Sequence, residues 1–140
     1  MIGDGVRLVF VAAMLSACHH GSAEPAAPVA SALGVEWRLV SLASAPVGLG
    51  ANGQPLTLLL DQGTGRASGY AGCNRFTGSY TLNGSALKLG PLAMTMMACA
   101  DGTVLETQYT QALQGATGLR VTAAGLELLK GSSPIARFTR

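Results

Sequence analysis

Hydrophobic and polar residues alternate through most of the chain from residue 35 onward, and the alternation gives way clearly once. In "VEWRLVSL", Val35, Trp37 and Leu39 fall on one face and Glu36, Arg38 and Val40 on the other, the period-two pattern of a half-buried strand. "PLTLLL" (55–60) predicts a second strand ended by the turn "DQGTG", and "GRASGY" predicts a short third. "FTGSYTL" and "ALKLG" flank Asn83-Gly84, with Ser85 after it, and Asn-Gly is a strong hairpin signal. The turn accounts for what is formally a glycosylation sequon. The break comes at "TVLETQYTQALQG", where Leu105, Tyr109, Ala112 and Leu113 recur at helical spacing. Thr103 and Glu106 have the spacing of a capping box and Gly115 suits the C-terminal cap, so a helix is predicted over about 103–114. "GLRVTAAGLELLKGSSPIARF" then returns to short strands separated by "AAG" and "GSSP". The fold class expected is mainly β: a small antiparallel barrel or curled sheet with one inserted α-helix, a form that the 19 glycines and frequent turns favour.

The first residues follow a different pattern. "VRLVFVAAMLSAC" sets Arg7 before an apolar run from Leu8 to Leu15 and ends in small residues before Cys18. The run is too short for a bilayer, which takes about 20 residues, and fits the apolar region of a secretory signal. "LSAC" resembles the lipobox of bacterial lipoproteins, in which the cysteine is lipidated and becomes the first residue of the mature chain. Residues 1–17 are thus expected to be a signal peptide and Cys18 the lipidation site. "CHHGSAEPAAPVASAL" is rich in Ala, Pro and Ser without periodicity, which predicts a flexible tether over 18–34 before a single domain over 35–140. With His19 rather than Asp after the cysteine, the periplasmic face of the outer membrane is the expected location.

Removing residues 1–17 leaves eight basic and six acidic residues, a balance that points to no nucleic-acid partner and leaves the lipid anchor as the link to a membrane. Both histidines, His19 and His20, lie in the tether, so the domain cannot build a Ser-His-Asp or Cys-His nucleophile or a histidine metal triad. Its carboxylates each have a structural reading: Asp61 and Asp101 at turns or caps, Glu36 and Glu127 on strands, Glu106 in the capping box. "GTGRASG" lacks the Lys-Ser/Thr of a phosphate loop and no helix follows it. No catalytic residue, metal or cofactor is expected.

Cys73 and Cys99 remain. They are not spaced as CxxC, and in an exported chain they make one natural disulfide pair, with two buried free thiols as the alternative. In "LAMTMMAC", three methionines beside a cysteine have the soft sulfur that Cu(I) prefers. The alternation of Leu92, Met94, Met96 and Ala98 fits instead a strand packed on the core, where methionine fills gaps.

At these residues the chain resembles a known family. "SGYAGCNRFTGSYTLNG" followed by "LGPLAMTMMAC" is similar to the META domain, and in particular to the HslJ-type heat-inducible lipoproteins of bacterial envelopes. The motif falls on Gly72, Cys73 and Asn74, then Gly78 and Tyr80, then Thr95, Met97 and Cys99, with Glu106 on the helix. Ala100 stands where many members carry proline. The resemblance implies a lipocalin-like antiparallel β-barrel with an inserted helix and no enzyme activity. The function expected is that of a non-catalytic, stress-related envelope module that binds a protein partner or supports folding. The competing expectation is a carrier of a small apolar ligand in the barrel interior. A monomer is expected.

Overall fold

The structure of the protein is a computed structural model that describes residues 26–140. The signal peptide, the lipidation of Cys18 and the histidines His19 and His20 lie outside the described residues. Among the described residues, ten strands and one α-helix follow in the order β1 (Glu36–Leu42), β2 (Ala45–Pro46), β3 (Thr57–Asp61), β4 (Arg66–Tyr70), β5 (Arg75–Asn83), β6 (Ala86–Leu89), β7 (Ala93–Met94), α1 (Thr103–Gly115), β8 (Gly118–Thr122), β9 (Gly125–Lys130) and β10 (Ser133–Thr139). Every pairing is antiparallel. The path β1-β3-β4-β5-β6-β8-β9-β10 returns to β1, where Arg38 faces Thr139 and Leu42 faces Ala136, so the sheet closes into an eight-stranded barrel. β2 folds back on the end of β1, and β7 adds to β5.

The alternation in the sequence is what fills this barrel. Trp37 and Leu39 of β1, Leu58 and Leu60 of β3, Leu126 and Leu128 of β9, and Ala136 and Phe138 of β10 are all buried in one cluster, while the residue between each pair (Arg38, Leu59, Glu127, Arg137) is exposed or half-buried. From one end α1 inserts Tyr109 and Leu113. The Tyr109 ring lies between Phe76 of β5 and Phe138 of β10, at centroid distances of 6.0 and 6.2 Å, and its hydroxyl donates to the Thr57 carbonyl at 2.9 Å. That hydrogen bond satisfies a phenol that burial would otherwise penalise.

The opposite end is closed by residues expected to be tether. The Ala27 amide bonds to Val121 O, a 3-10 turn spans Val29–Ala32, and the Gly34 amide bonds to Leu60 O. Ala32 is fully buried and its carbonyl accepts the Trp37 indole N–H at 2.9 Å, while Arg140 stacks over the Trp37 ring. Residues 27–34, expected as part of the tether, therefore pack on the barrel. A run of alanines and prolines carries no period, yet its small side chains suit a plug that lies close over a ring.

Three local expectations are corrected. Asn83 pairs with Ala86, so the hairpin loop is Gly84-Ser85, with glycine in the first central place at φ 60°. Residues 92–99 form a strand only at Ala93–Met94; Leu92 and Met94 pack against the core as the alternation predicts, but Met96 is 97% exposed and Ala98 is exposed, so the pattern stops after Met94. The helix has no capping box: Gly102, with φ 95°, is its N-cap without a side-chain bond, and Glu106 is used elsewhere. Its C-terminal cap is Ala116 in extended backbone, with Gly115 still helical.

Candidate functional site

Tyr70 ends β4, and the chain turns through Ala71–Asn74 into β5. Gly72 sits in this turn at φ 112°, a conformation that side chains rarely adopt. Its carbonyl accepts the Tyr70 hydroxyl at 2.7 Å and the Ala51 amide at 2.6 Å, tying the turn to the loop before β3. The turn then presents two consecutive amides, of Cys73 and Asn74, to the first turn of α1. Glu106 Oε2 accepts both, at 3.2 and 2.5 Å, and Oε1 accepts Asn74 Nδ2 at 3.1 Å. The capping-box reading fails because these amides compete for the same carboxylate. An ionised oxygen accepting several N–H groups is stronger than a neutral acceptor.

Asn74, only 7% exposed, faces the other way with its carbonyl. Oδ1 accepts the Met97 amide at 2.6 Å and the Thr95 hydroxyl at 3.1 Å, and Thr95 Oγ1 in turn accepts the Arg75 amide at 3.0 Å. Two residues further on, Cys99 is disulfide-bonded to Cys73 with Cα atoms 6.0 Å apart. Seven motif residues (Gly72, Cys73, Asn74, Thr95, Met97, Cys99 and Glu106) thus form one knot joining turn, loop and helix. Met97 contributes its backbone; its side chain is 61% exposed.

Gly78 and Tyr80 are not in the knot. A Cβ on Gly78 would lie 2.8 Å from Pro91 O and 2.9 Å from Leu92 Cδ2, so glycine is what lets the 91–92 segment cross β5. Tyr80 donates to Asp61 O at 3.1 Å, holding the β3–β4 turn, and partial burial with the nearby Asp61 charge raises its phenol above the usual value. Tyr70 and Thr57 also hold this end of the barrel. Thr57 Oγ1 accepts the Tyr70 amide, and its carbonyl accepts Tyr109. Neither lies in a recognisable pattern, because each acts across the barrel end.

The knot's polar atoms bond to one another, which makes it a fastening. Asp61 Oδ1 accepts the Gly63 amide within its turn, as expected. Glu127 on β9 is flanked by Arg120 on β8 and Arg137 on β10. Partial burial acts to raise the Glu127 carboxyl, but hydrogen bonds and charge from the two arginines outweigh it and hold it below its usual range. Among the described residues no three His, Cys, Asp or Glu side chains gather as a metal site, and no helix is long and apolar enough to cross a membrane.

Beside the knot, at the same end of the barrel, an open hollow of about 570 Å3 runs between α1 and the β1–β2 hairpin. Leu42, Val47, Leu105, Ala112 and Ile135 give it apolar walls, with Gln108, Gln111 and Lys130 among its polar residues. Exposed Leu49, Met96, Met97 and Val104 also belong to loops and helix at this end.

No curated protein sequence matches the chain. An NMR structure of a protein from Burkholderia xenovorans is similar at a TM-score of 0.65 and 31% identity, covering 99% of this chain and 98% of that one. A second NMR structure is similar at a TM-score of 0.56 and 26% identity, covering 74% and 86%. The family model for the META domain matches residues 30–140, a span that takes in the barrel, the helix and every residue of the knot, and the chain belongs to the META domain family.

Proposed function

We propose that this META-domain protein is a non-catalytic module of the bacterial cell envelope, anchored by lipid on Cys18 and engaging or supporting apolar segments of other envelope proteins under stress. One observation carries the reading. The barrel interior is filled by the chain's own side chains, with Tyr109 and Leu113 entering from one end and Ala32 closing the other, while apolar groups are left outside around α1. A carrier needs an enclosed space of ligand size, whereas a partner module needs an accessible apolar surface.

The direction of the chain supports the same reading. It enters the domain at Ala27, at the end opposite α1. Eight residues lie between Cys18 and Ala27, and the nine steps span at most about 30 Å. An anchor there leaves the α1 end turned away from the bilayer, on the periplasmic side of the outer membrane. The test is crosslinking from intact envelopes, with a photoreactive residue at Gln108 or Gln111, alongside native mass spectrometry of the purified domain. Reproducible protein adducts that disappear in Leu105→Glu support the module. A co-purified lipid without any protein adduct overturns it in favour of the carrier, and membrane retention of Cys18→Ser overturns the anchor.

A further inference from the structure

We propose that the Cys73–Cys99 disulfide is a thiol-exchange site open from one side, at which an external dithiol attacks Cys99 and Cys73 leaves. The two sulfurs have different surroundings. Cys73 is 3% exposed, under α1 and the Glu106 carboxylate, while Cys99 is only half-buried. A surface hollow of about 280 Å3 reaches the bridge and is lined by both cysteines with Met97, Ala100 and Asp101. Cys99 is flanked along the chain by Ala98 and Ala100, both exposed and both small, so its two chain neighbours leave it open to solvent. Access of this kind decides which sulfur of a disulfide is attacked.

The steps balance. A thiolate of the dithiol bonds to Cys99 Sγ, the Cys99–Cys73 bond breaks, and its electron pair goes to Cys73. The second thiolate of the dithiol then attacks its own sulfur in the mixed disulfide and expels Cys99 as thiolate. The dithiol is oxidised to a disulfide, and the protein gains two electrons and two protons. The released Cys73 sulfur lies 3.5 Å from Asn74 Nδ2, and once protonated its S–H has an acceptor in Met97 O, also at 3.5 Å. The fold does not depend on the bridge for its local order. Asn74 Oδ1 still holds Thr95 and Met97, and Glu106 still holds the turn. Reduction frees the stretch from Ala98 to Asp101 and leaves the barrel closed.

The test uses the full chain, with dithiothreitol and oxidised glutathione as probes. Native protein should be reduced by dithiothreitol within about tenfold of the rate in guanidinium, with its far-ultraviolet circular dichroism retained. Glutathione should modify Cys99 in Cys73→Ser at least about tenfold faster than Cys73 in Cys99→Ser. If a variant does not fold, peptide mapping of the first thiol adduct on the wild-type chain, trapped with iodoacetamide, gives the same answer. An adduct on Cys73, equal reactivity, loss of the β signal on reduction, or native protection of about a thousandfold or more would each overturn the proposal.

Discussion

The Glu106 carboxylate accepts the main-chain and side-chain N–H groups of Asn74, so one residue of the helix holds the turn that starts β5. Asn74 passes the constraint on to Thr95 and Met97 with its remaining oxygen. Helix, strand and loop are joined through two side chains.

Glu106→Ala leaves the Cys73 and Asn74 amides without their acceptor. A loss of about 1–3 kcal/mol is expected, with Glu106→Gln recovering part of it, measured by urea unfolding at neutral pH. Glu106→Ala no less stable than wild type would remove the knot's role.

Asn74→Asp sets a second carboxylate against Glu106 and removes the donor between them. Stability should fall by about 1–3 kcal/mol at pH 7. Urea unfolding of the two proteins measures it, and a variant as stable as wild type would contradict this.

The double variant Cys73→Ala/Cys99→Ala opens a loop with a sequence separation of 26 residues. The chain-entropy relation gives a loss of about 3–4 kcal/mol, and the domain should still unfold in a single transition. Thermal unfolding of oxidised, reduced and double-variant protein measures it.

Burial pushes the Tyr109 phenol well above its ordinary value of 10.0. A group whose folded value is raised contributes stability below its unfolded value and loses it as pH rises past that point. Tyr109→Phe should therefore lose about 1 kcal/mol at pH 7 through the orphaned Thr57 carbonyl. Above about pH 10 the deficit should shrink, because phenylalanine does not ionise. Unfolding by urea at pH 7 and pH 11 decides the matter.

For Glu127 the sign is opposite, since its folded value lies below the ordinary one. Its contribution is present above about pH 4.5 and fades as pH falls through the folded value. Glu127→Gln should lose no more than about 1 kcal/mol at pH 7, as half-exposed arginines allow, and the loss should shrink as pH falls below about 4.5. A deficit that grows on acidification would reverse the assignment.

What was legible in the sequence was local. β1, β3, β5 and the strands after α1 show in the alternation, because period two is a property of neighbouring residues such as Trp37 and Leu39. The helix showed through Tyr109 and Leu113 for the same reason. Residues 95–99 did not, because their course is set by Asn74, some twenty positions earlier, and not by their own spacing. Thr103 and Glu106 met the rule for a capping box, yet a partner from a distant turn took the carboxylate. The 27–34 segment was concealed by its composition, since it is held by Leu60, Val121 and the Trp37 indole further along the chain rather than by any period of its own. The motif pointed to the knot without saying what it holds together.

The pairing of β1 with β10 also governs when the protein can fold. Arg38 and Thr139 meet from opposite ends of the domain, so the barrel cannot close until its last residues have left the machinery that delivers them. Until then β1 has an unpaired edge able to join another chain. A premature stop before Ser133 would leave both β1 and β9 open along one side. The same adjacency brings the start of the described residues, Ala27 and Pro28, and the C-terminal Arg140 around Trp37. A permuted chain, joined there and reopened at the exposed Gly84-Ser85 loop, should keep the barrel while exchanging the strand that arrives last.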